Sequence, residues 1–358
     1  MGGNPIKLED QIRNTIKDSG LATAVIEIFD REIRSRRRKI LFKAAFFILA
    51  LAAGAALTET ALRLFFKEQF SVMKDERSLM YRYDRNLGWF PAPNSRERLH
   101  ASRLITATHN SEGFRDSEFG YTDKPGILFL GDSFVWGYDV EASERFTDKL
   151  RARHSEWAIY NCGISGYGTD QEYVLLQQIF DRFKPRVVFL MFCTETDEID
   201  NASNMRYGGY YKPYCAVTGN RLEMKGTPVP QSERAFWAEH ESLAQLYLAR
   251  LFVRIYFKVA GPRVLQNPNP TGPILWDMYK YVRSKGAVFI VGLTRSQPAL
   301  EQFLTQVKIP YVDLTTPLRY EGFGSHWTPE GHTFVCEKID LLFSKENSGS
   351  RRRNKGER

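Results

Sequence analysis

The stretch Gly126-Ile-Leu-Phe-Leu-Gly-Asp-Ser-Phe-Val-Trp-Gly137 decides the fold of this chain of 358 residues. Its apolar run, Ile127 to Leu130, ends in Gly131, a pattern typical of a strand buried in a parallel sheet. Open α/β sheets bind their ligands outside the carboxyl ends of the strands. Ser133 follows such an end and is therefore a candidate nucleophile, provided that a base lies beside it. A serine that only begins a helix is the alternative interpretation.

Apolar runs and helical segments alternate from residue 126 onward. The strands are predicted at Ile127–Leu130, Trp157–Asn161, Val187–Cys193, Ala287–Leu293 and Tyr311–Leu314. The helices are predicted at Ser143–His154, Asp170–Phe183, Trp276–Lys285, Pro298–Val307 and from Pro329 to about Ser344. This order predicts an α/β domain over 126–345, with a parallel sheet and helices on both faces. The gap at 201–275 is interpreted as an insertion, with a loop or hairpin over 207–230 and a helix over 235–259.

The segment from Ile40 to Leu62, ILFKAAFFILALAAGAALTETAL, is predicted to cross a membrane. About 20 such residues span a bilayer, and the charged segment before it is too long for a secretory signal. A buried helix of a soluble protein is the alternative. The basic cluster Arg31–Lys39 precedes the span, which predicts a cytoplasmic N-terminus. We therefore expect a cytoplasmic basic segment (1–39), a transmembrane helix (40–62), a connector (63–125) and a main domain beyond the membrane.

The net charge of +8 resides at the two ends of the chain. Residues 1–43 hold ten Lys/Arg against six Asp/Glu, and residues 345–358 hold six against two. The neutral centre gives no reason to expect a nucleic-acid partner. Residues 346–358, which contain only small, polar and charged side chains, are predicted to be a disordered basic tail. No dinucleotide-binding glycine pattern and no phosphate-binding loop occurs after the first strand, so no cofactor is predicted.

Three further loops follow predicted strands and should meet Ser133 at one rim of the sheet. Asn161–Thr169 holds three glycines within six residues, and the N–H of Gly166 could donate to an oxyanion; a flexible loop is the alternative. Cys193–Asn201 is a polar cluster with no histidine spaced for metal binding, and the four cysteines show no metal spacing either, so no metal is predicted. Gly324–His332 supplies two of the six histidines.

The four blocks, in this order and spacing, resemble the SGNH (GDSL) esterase and lipase superfamily. Together with the N-terminal span, residues 40–344 look like the membrane-anchored bacterial members of that superfamily. The resemblance implies a three-layer α/β/α sandwich with a five-stranded parallel sheet in the order 2-1-3-4-5. It implies ester hydrolysis or acyl transfer, at the bacterial inner membrane, with the main domain periplasmic or extracellular. Related domains add or remove O-acetyl groups of bacterial polysaccharides.

The resemblance also assigns roles to individual residues. The nucleophile falls on Ser133, the base on His326, and the oxyanion donors on the N–H groups of Ser133 and Gly166. His332 is expected to anchor the last helix. The family's third-block asparagine is replaced by Thr196, whose hydroxyl could supply one hydrogen bond.

The acid that orients the family histidine is missing from its usual place, where this chain has Phe323 and Gly324. Glu321, Asp313 or Asp200 could replace it, or a carbonyl group could do so. A serine–histidine dyad also works without the acid, at a reduced rate.

Two functions therefore stay open. The first is a membrane-anchored serine esterase or acyl-ester transferase acting on O-acyl groups, with an acylated glycan of the cell envelope as a possible substrate. The second is a catalytically degenerate SGNH-fold protein that binds a glycan or a partner protein without turnover. The insertion is rich in aromatic residues that suit either a sugar platform or packing onto the core: Tyr207, Tyr210, Tyr211, Tyr214 and Trp237.

The implied strand order bears on the cysteines. Cys162 and Cys193 would lie two strand spacings apart, about 9.5 Å. This distance exceeds the limit of about 7 Å for a disulfide bridge. No disulfide is predicted between these two residues.

Overall fold

The computed structural model describes residues 5–17, 19–72, 80–120, 122–219 and 221–353. Contacts within the chain divide these residues into two units. The first unit comprises the described residues up to 71 together with 246–251, and the second comprises the remaining described residues.

The first unit consists mainly of two helices, α1 (Pro5–Thr15) and α2 (Ser19–Phe65), which pack against each other. Helix α2 runs without a break from the basic cluster through the predicted span. Among the described residues it is the one helix that is long and apolar enough to cross a bilayer. Its apolar side chains are exposed, with Phe42 at 73% and Leu49 at 69%. Exposure of this apolar surface to water is unfavourable, because each square ångström of apolar surface in water raises the free energy by about 25 cal/mol.

The second unit is built on a five-stranded sheet: β1 (Gly126–Gly131), β2 (Ala158–Asn161), β3 (Val187–Phe192), β4 (Val288–Leu293) and β5 (Tyr311–Asp313). All four pairings are parallel, and the spatial order is β2-β1-β3-β4-β5. The five predicted strands and their order 2-1-3-4-5 are therefore confirmed. Every residue of β1 and β3 is buried, which explains why both strands read as unbroken apolar runs.

The described helices of the second unit range from four to 25 residues in length. They are α3 (Ser133–Trp136), α4 (Phe146–Arg153), α5 (Thr169–Phe183), α6 (Asp197–Asn201), α7 (Glu233–Glu239), α8 (Tyr247–Ala260, which begins in the first unit), α9 (Thr271–Ser284), α10 (Pro298–Gln306) and α11 (Pro329–Arg353). Three single-turn 3₁₀ helices lie at Ala142–Glu144, Leu243–Gln245 and Phe323–Ser325.

The two faces of the sheet carry separate cores. Leu128 and Leu130 of β1 pack in a core that includes apolar residues of α5, α9 and α10. Ile127 and Phe129 point the other way, into a core shared with α4 and α11. Successive side chains of a strand alternate between faces, so each strand contributes to both cores. The three-layer α/β/α sandwich is confirmed.

The predicted connector contains folded structure. Two antiparallel hairpins, Tyr81–Asp84 with Gly88–Pro91 and Arg96–His100 with Leu104–Thr108, precede β1. Their apolar side chains join the core of the α5 face, and Trp89, for example, is 1% exposed. The described part of the domain therefore begins by residue 80 rather than at 126. Each of these strands has only four or five residues and is flanked by turn-forming residues. The sequence therefore does not show them as distinct apolar runs.

The insertion contains a small strand pair (Met205–Arg206 with Tyr210–Tyr211), a hairpin (Tyr214–Thr218 with Arg221–Lys225), α7 and most of α8. It ends at 270, because α9 begins at Thr271. Tyr210 and Trp237 are buried, and the Tyr210 ring packs 5.8 Å from that of Trp89. Tyr210 therefore holds the insertion on the core, and neither buried residue is available as a sugar platform.

The C-terminal helix is longer than predicted. Helix α11 continues to Arg353, into the segment for which the composition predicts a disordered tail. Extending a helix costs little once its first turns are formed, and α11 is fixed by the buried residues Val335, Ile339 and Phe343. Residues 354–358 lie outside the described part of the chain. All four cysteines are buried and unpaired.

Candidate active site

The candidate nucleophile, Ser133, is the first residue of α3 and follows β1 almost directly. Asp132 caps this helix, because its Oδ1 atom accepts a hydrogen bond of 3.0 Å from the Phe134 N–H. The Ser133 hydroxyl is therefore not needed as a cap. Its Oγ atom lies 2.9 Å from Nε2 of His326, and the residue is partly open to solvent. The structure thus brings together the two predicted catalytic residues.

The candidate base, His326, follows the 3₁₀ turn Phe323–Ser325 and is 5% exposed. Its ring lies between those of Phe134 and Tyr138, at centroid distances of 5.3 and 4.6 Å. The ring also packs against Gly324, which has a φ of 75°. A Cβ atom at Gly324 would lie 2.3 Å from Cε1 of His326. An aspartate at 324, one of the two usual positions of the family acid, would therefore collide with the ring in this backbone.

Asp139 occupies the place of that acid. Its Oδ2 atom lies 3.3 Å from Nδ1 of His326. The carboxylate also accepts hydrogen bonds from the N–H and the hydroxyl of Ser102, at 2.8 and 3.0 Å. Burial would raise the pKa of Asp139, but the hydrogen bonds from His326 and Ser102 outweigh it, so the pKa is lowered. The group is an ionised acceptor that keeps the proton of a neutral imidazole on Nδ1 and leaves Nε2 to accept from Ser133.

The structure does not bring to His326 any of the three acids that the sequence offered for this role. Asp200 forms an ion pair with Arg206, Asp313 accepts a hydrogen bond of 2.9 Å from the Thr315 N–H, and Glu321 is exposed. Sequence reasoning missed Asp139 because it lies 187 residues before the histidine. The one available signal was its position just after the helix that carries the nucleophile.

A buried arginine holds the loop that presents Asp139. Arg115 donates hydrogen bonds to the carbonyl groups of Trp136, Gly137 and Val140. Its guanidinium also lies 4.4 Å from the centroid of the Trp136 ring. Arg115 closes the turn Asn110–Arg115, which was assigned to the connector. This turn therefore helps to fix the backbone on both sides of Asp139.

A second arginine joins the third and fourth blocks. Arg319 donates to the carboxylate of Glu195 at 2.7 Å and to the carbonyl groups of Ser325 (3.2 Å) and Thr294. Its guanidinium stacks 5.0 Å from the centroid of the Phe134 ring. The loop that carries His326 is thus tied to the third block and to the nucleophile helix. No sequence pattern pointed to this role, since Arg319 belongs to none of the four blocks.

The predicted oxyanion donors have suitable surroundings, and their role stays a prediction. Gly166 lies in a turn closed by a hydrogen bond of 3.1 Å from the Tyr167 N–H to the Ile164 carbonyl group, with a φ of 88° that favours glycine. No hydrogen bond among the described residues uses the Gly166 N–H. The Thr196 hydroxyl donates to the sulfur of Cys193 at 3.3 Å and would have to turn away from it to reach a substrate.

His332 is structural, as predicted. It is 1% exposed and its Nδ1 atom accepts from the Phe146 N–H at 3.3 Å. Its ring stacks on the Phe146 ring at 6.0 Å. Burial and the nearby arginines Arg145 and Arg115 lower its pKa to about 3, so the neutral ring anchors α11 against α4.

One group of described residues has the spacing of metal ligands. Ligand atoms of Asp132, Cys193 and Asp197 lie within 4.8 Å of one another, and all three residues are buried. Asp132 already accepts from the Phe134 N–H, and Asp197 accepts from the Cys193 N–H at 2.9 Å. Burial raises the pKa of Cys193 well above its usual value, which keeps the thiol neutral. We interpret the group as a hydrogen-bonded support for the nucleophile loop and assign it no metal.

Glu172 of α5 adds another buried carboxyl group to this region. Both of its side-chain oxygens lack a hydrogen-bond partner among the described residues, and it is 0% exposed. Burial, and then the carboxylates of Asp197 and Asp132, raise the pKa of Glu172 well above its usual value. The pKa of Asp197 is raised in the same direction. Folding therefore favours the protonated form of Glu172.

This shift predicts a loss of stability at higher pH. A carboxyl group with a raised pKa stabilises the folded state at low pH, and that contribution disappears as the pH rises through the folded-state pKa. Urea unfolding of the wild type, followed by tryptophan fluorescence from acidic to alkaline pH, should show this loss, and Glu172→Gln should show a smaller one. The exposed Glu223→Gln is the control and should follow the wild type. Parallel pH profiles for Glu172→Gln and wild type would contradict the assignment.

No family model and no curated protein matches the sequence. Among solved structures, a psychrotrophic esterase from Pseudoalteromonas sp. is 10% identical, with 63% of this chain and 100% of that chain covered and a TM-score of 0.37. A lipase/acylhydrolase from Enterococcus faecalis is 14% identical, with coverages of 62% and 96% and a TM-score of 0.36. A member of the lipolytic G-D-S-L family from Veillonella parvula is 13% identical, with coverages of 61% and 98% and a TM-score of 0.35.

Two features of the chain itself agree with the resemblance seen in its sequence. The sheet has the order 2-1-3-4-5, and the four blocks follow the carboxyl ends of β1, β2, β3 and β5. The first and last blocks join through the hydrogen bond between Ser133 and His326. With this sheet order and this serine–histidine contact, the chain has the fold and the pair of residues that its resemblance to the SGNH (GDSL) superfamily implies.

Proposed function

We propose that the protein is a membrane-anchored serine esterase or acyl-ester transferase acting on O-acyl groups. The observation that carries this proposal is the 2.9 Å contact between Ser133 Oγ and His326 Nε2, with Asp139 on the other ring nitrogen. A serine needs such a base to attack a carbonyl group at neutral pH. The burial of His326 between two aromatic rings holds the base in this position before a substrate arrives.

In the proposed reaction, Ser133 Oγ attacks the acyl carbonyl carbon while His326 Nε2 takes the hydroxyl proton. The ionised Asp139 stabilises the imidazolium that forms. The N–H groups of Ser133 and Gly166, with the Thr196 hydroxyl, would hold the oxyanion. His326 then returns the proton to the departing alcohol oxygen and leaves an acyl ester on Ser133. Water or a sugar hydroxyl attacks this ester by the same steps in reverse, which gives hydrolysis or transfer.

The proposed location is the bacterial inner membrane. Helix α2 supports it with an apolar stretch of sufficient length whose side chains are exposed. The basic cluster Arg31–Lys39 supports a cytoplasmic N-terminus, and with one span the catalytic domain would lie in the periplasm or outside the cell. Acylated polysaccharides of the cell envelope are the substrate class we propose for an esterase in that place.

Labelling with a fluorophosphonate tests the proposal directly. These reagents phosphonylate serines whose hydroxyl group is activated by a neighbouring base. We expect the full-length protein in detergent to take up one equivalent and Ser133→Ala to take up none. Ser296→Ala, a change at an exposed serine after β4, should label like the wild type. A folded wild type that is not labelled would instead favour a catalytically degenerate protein that binds its ligand without turnover. The missing third-block asparagine is the observation that favours this alternative.

A further inference from the structure

Helix α8 turns an apolar stripe toward solvent. Phe252, Ile255, Tyr256 and Val259 are exposed by 62, 49, 63 and 82%, respectively. Their spacing of i, i+3, i+4 and i+7 is that of the face which a surface helix normally packs against its core. None of the residues of α8 is buried. A stripe of this kind, exposed on a folded domain, indicates an interaction surface.

The apolar surface extends beside the helix. An open groove next to the stripe is lined by apolar side chains on α7, on α8 and on the two flanking loops. These include Pro230, Phe236, Phe257 and Pro262. The groove and the stripe together form one surface, which we call the α8 face.

The charges on α8 itself and in the loop that follows it have one sign. Between Ser242 and Trp276 the sequence contains four basic residues and no aspartate or glutamate; the four are Arg250, Arg254, Lys258 and Arg263. Arg254 forms an ion pair with Glu233 at 3.4 Å, whereas Lys258 is exposed. An apolar stripe with basic residues and aromatic rings is the composition of helices that lie on anionic membranes.

The first turn of α8 belongs to the unit that contains the proposed span. Within that unit, the N–H groups of Tyr247 and Leu248 donate to the carboxylate of Glu59 at 3.0 and 2.7 Å. The Arg250 guanidinium donates to the carbonyl group of Phe70 at 2.9 Å. Glu59 lies at the far edge of the predicted span 40–62, so α8 begins at the level where that span would leave the bilayer.

We propose that α8 lies in the plane of the bilayer surface and inserts its apolar stripe at the boundary between headgroups and acyl chains. Lys258 and Arg263 would then face the phosphates of anionic lipids. The partner is a phospholipid surface on the extracytoplasmic side. This inference rests on the membrane anchoring proposed above and adds a second attachment, which the catalytic domain itself supplies.

Fluorescence quenching in lipid nanodiscs tests the inference on the full-length protein. The four native cysteines are buried, so Val259→Cys can be labelled selectively with an environment-sensitive dye, with unsubstituted protein as the labelling blank. Lys225→Cys, exposed on the hairpin Tyr214–Thr218/Arg221–Lys225, is the matched control. Lipids that carry a nitroxide near the headgroup should quench the dye at 259 several-fold more than the dye at 225. Removal of anionic lipid should weaken this difference.

The outcomes separate the two proposals. Equal quenching at 259 and 225, in protein that remains in the disc, overturns the docking of α8 and leaves the span intact. Protein that fails to enter discs overturns the span instead. In discs that hold two copies of Val259→Cys, the introduced thiols could form a disulfide with each other before labelling. Such a disulfide would show that a second copy covers the α8 face, and it would also overturn the proposal.

Discussion

Replacing Ser133 by alanine is expected to lower kcat/KM for p-nitrophenyl acetate by at least about 10³-fold. The change removes the oxygen that attacks the carbonyl carbon and leaves His326 without its partner 2.9 Å away. What remains is the part of catalysis that comes from binding and from the oxyanion donors. The measurement is the initial rate of the full-length enzyme in detergent, corrected for spontaneous hydrolysis.

Two controls make this result specific. Ser296→Ala should hydrolyse the ester at the wild-type rate, since Ser296 lies outside the four blocks. The urea midpoint of Ser133→Ala should stay close to that of the wild type, because Asp132 rather than Ser133 caps α3. Equal ester hydrolysis by wild type and Ser133→Ala would exclude the serine mechanism.

Replacing Asp139 by asparagine is expected to lower kcat by about 10²–10⁴-fold while KM changes little. An asparagine can offer an N–H group to Nδ1 of His326, which favours the tautomer that carries its proton on Nε2. That tautomer cannot accept the Ser133 proton. Kinetics with p-nitrophenyl acetate provide the measurement, and the rate of fluorophosphonate labelling should fall in parallel.

Asp139 could in principle act only by supporting the fold, and two comparisons distinguish this role from positioning. A positioning residue loses its effect once the nucleophile is gone, so Ser133→Ala with Asp139→Asn should be no slower than Ser133→Ala alone. Glu321→Gln, a change at one of the acids that the sequence offered, should be neutral. Asp139→Asn with wild-type kcat would show that the serine and histidine operate as a dyad.

The sheet was predictable because its strands are buried on both faces. Each strand reads as an apolar run bounded by turn-forming residues, and the runs at 127–130, 187–193 and 287–293 match the observed strands to within a residue or two. Ser133 and His326 were predictable for a related reason. Both follow the ends of parallel strands, and topology brings such ends to one rim whatever the sequence between them.

Asp139 was not predictable, because its position depends on backbone geometry. The chain leaves α3 through Gly137 in the left-handed region, and Asp139 itself has a φ of 66°. These two turns direct the carboxylate back toward the rim, and Ser102 holds it there. Ser102 lies in a hairpin that the sequence assigned to a connector. No pattern of residue types specifies a contact between a connector and a turn.

The glycine at 324, one of the two usual positions of the family acid, has a local explanation that residue patterns alone do not supply. It permits the loop to pass close to the imidazole ring, at a distance where a Cβ atom would collide with it. A carboxylate at 324 is thereby excluded, and Asp139 contacts Nδ1 of the ring instead.

The positions of the three catalytic groups along the chain bear on the biogenesis of the enzyme. Ser133 and Asp139 come from one short segment, whereas His326 arrives 187 residues after Asp139. In the proposed mechanism, a chain that is still being synthesised would already contain its nucleophile and its acid. It would have no base until the segment that follows the final strand has been added. With the proposed topology, the nascent protein would therefore cross the membrane without esterase activity.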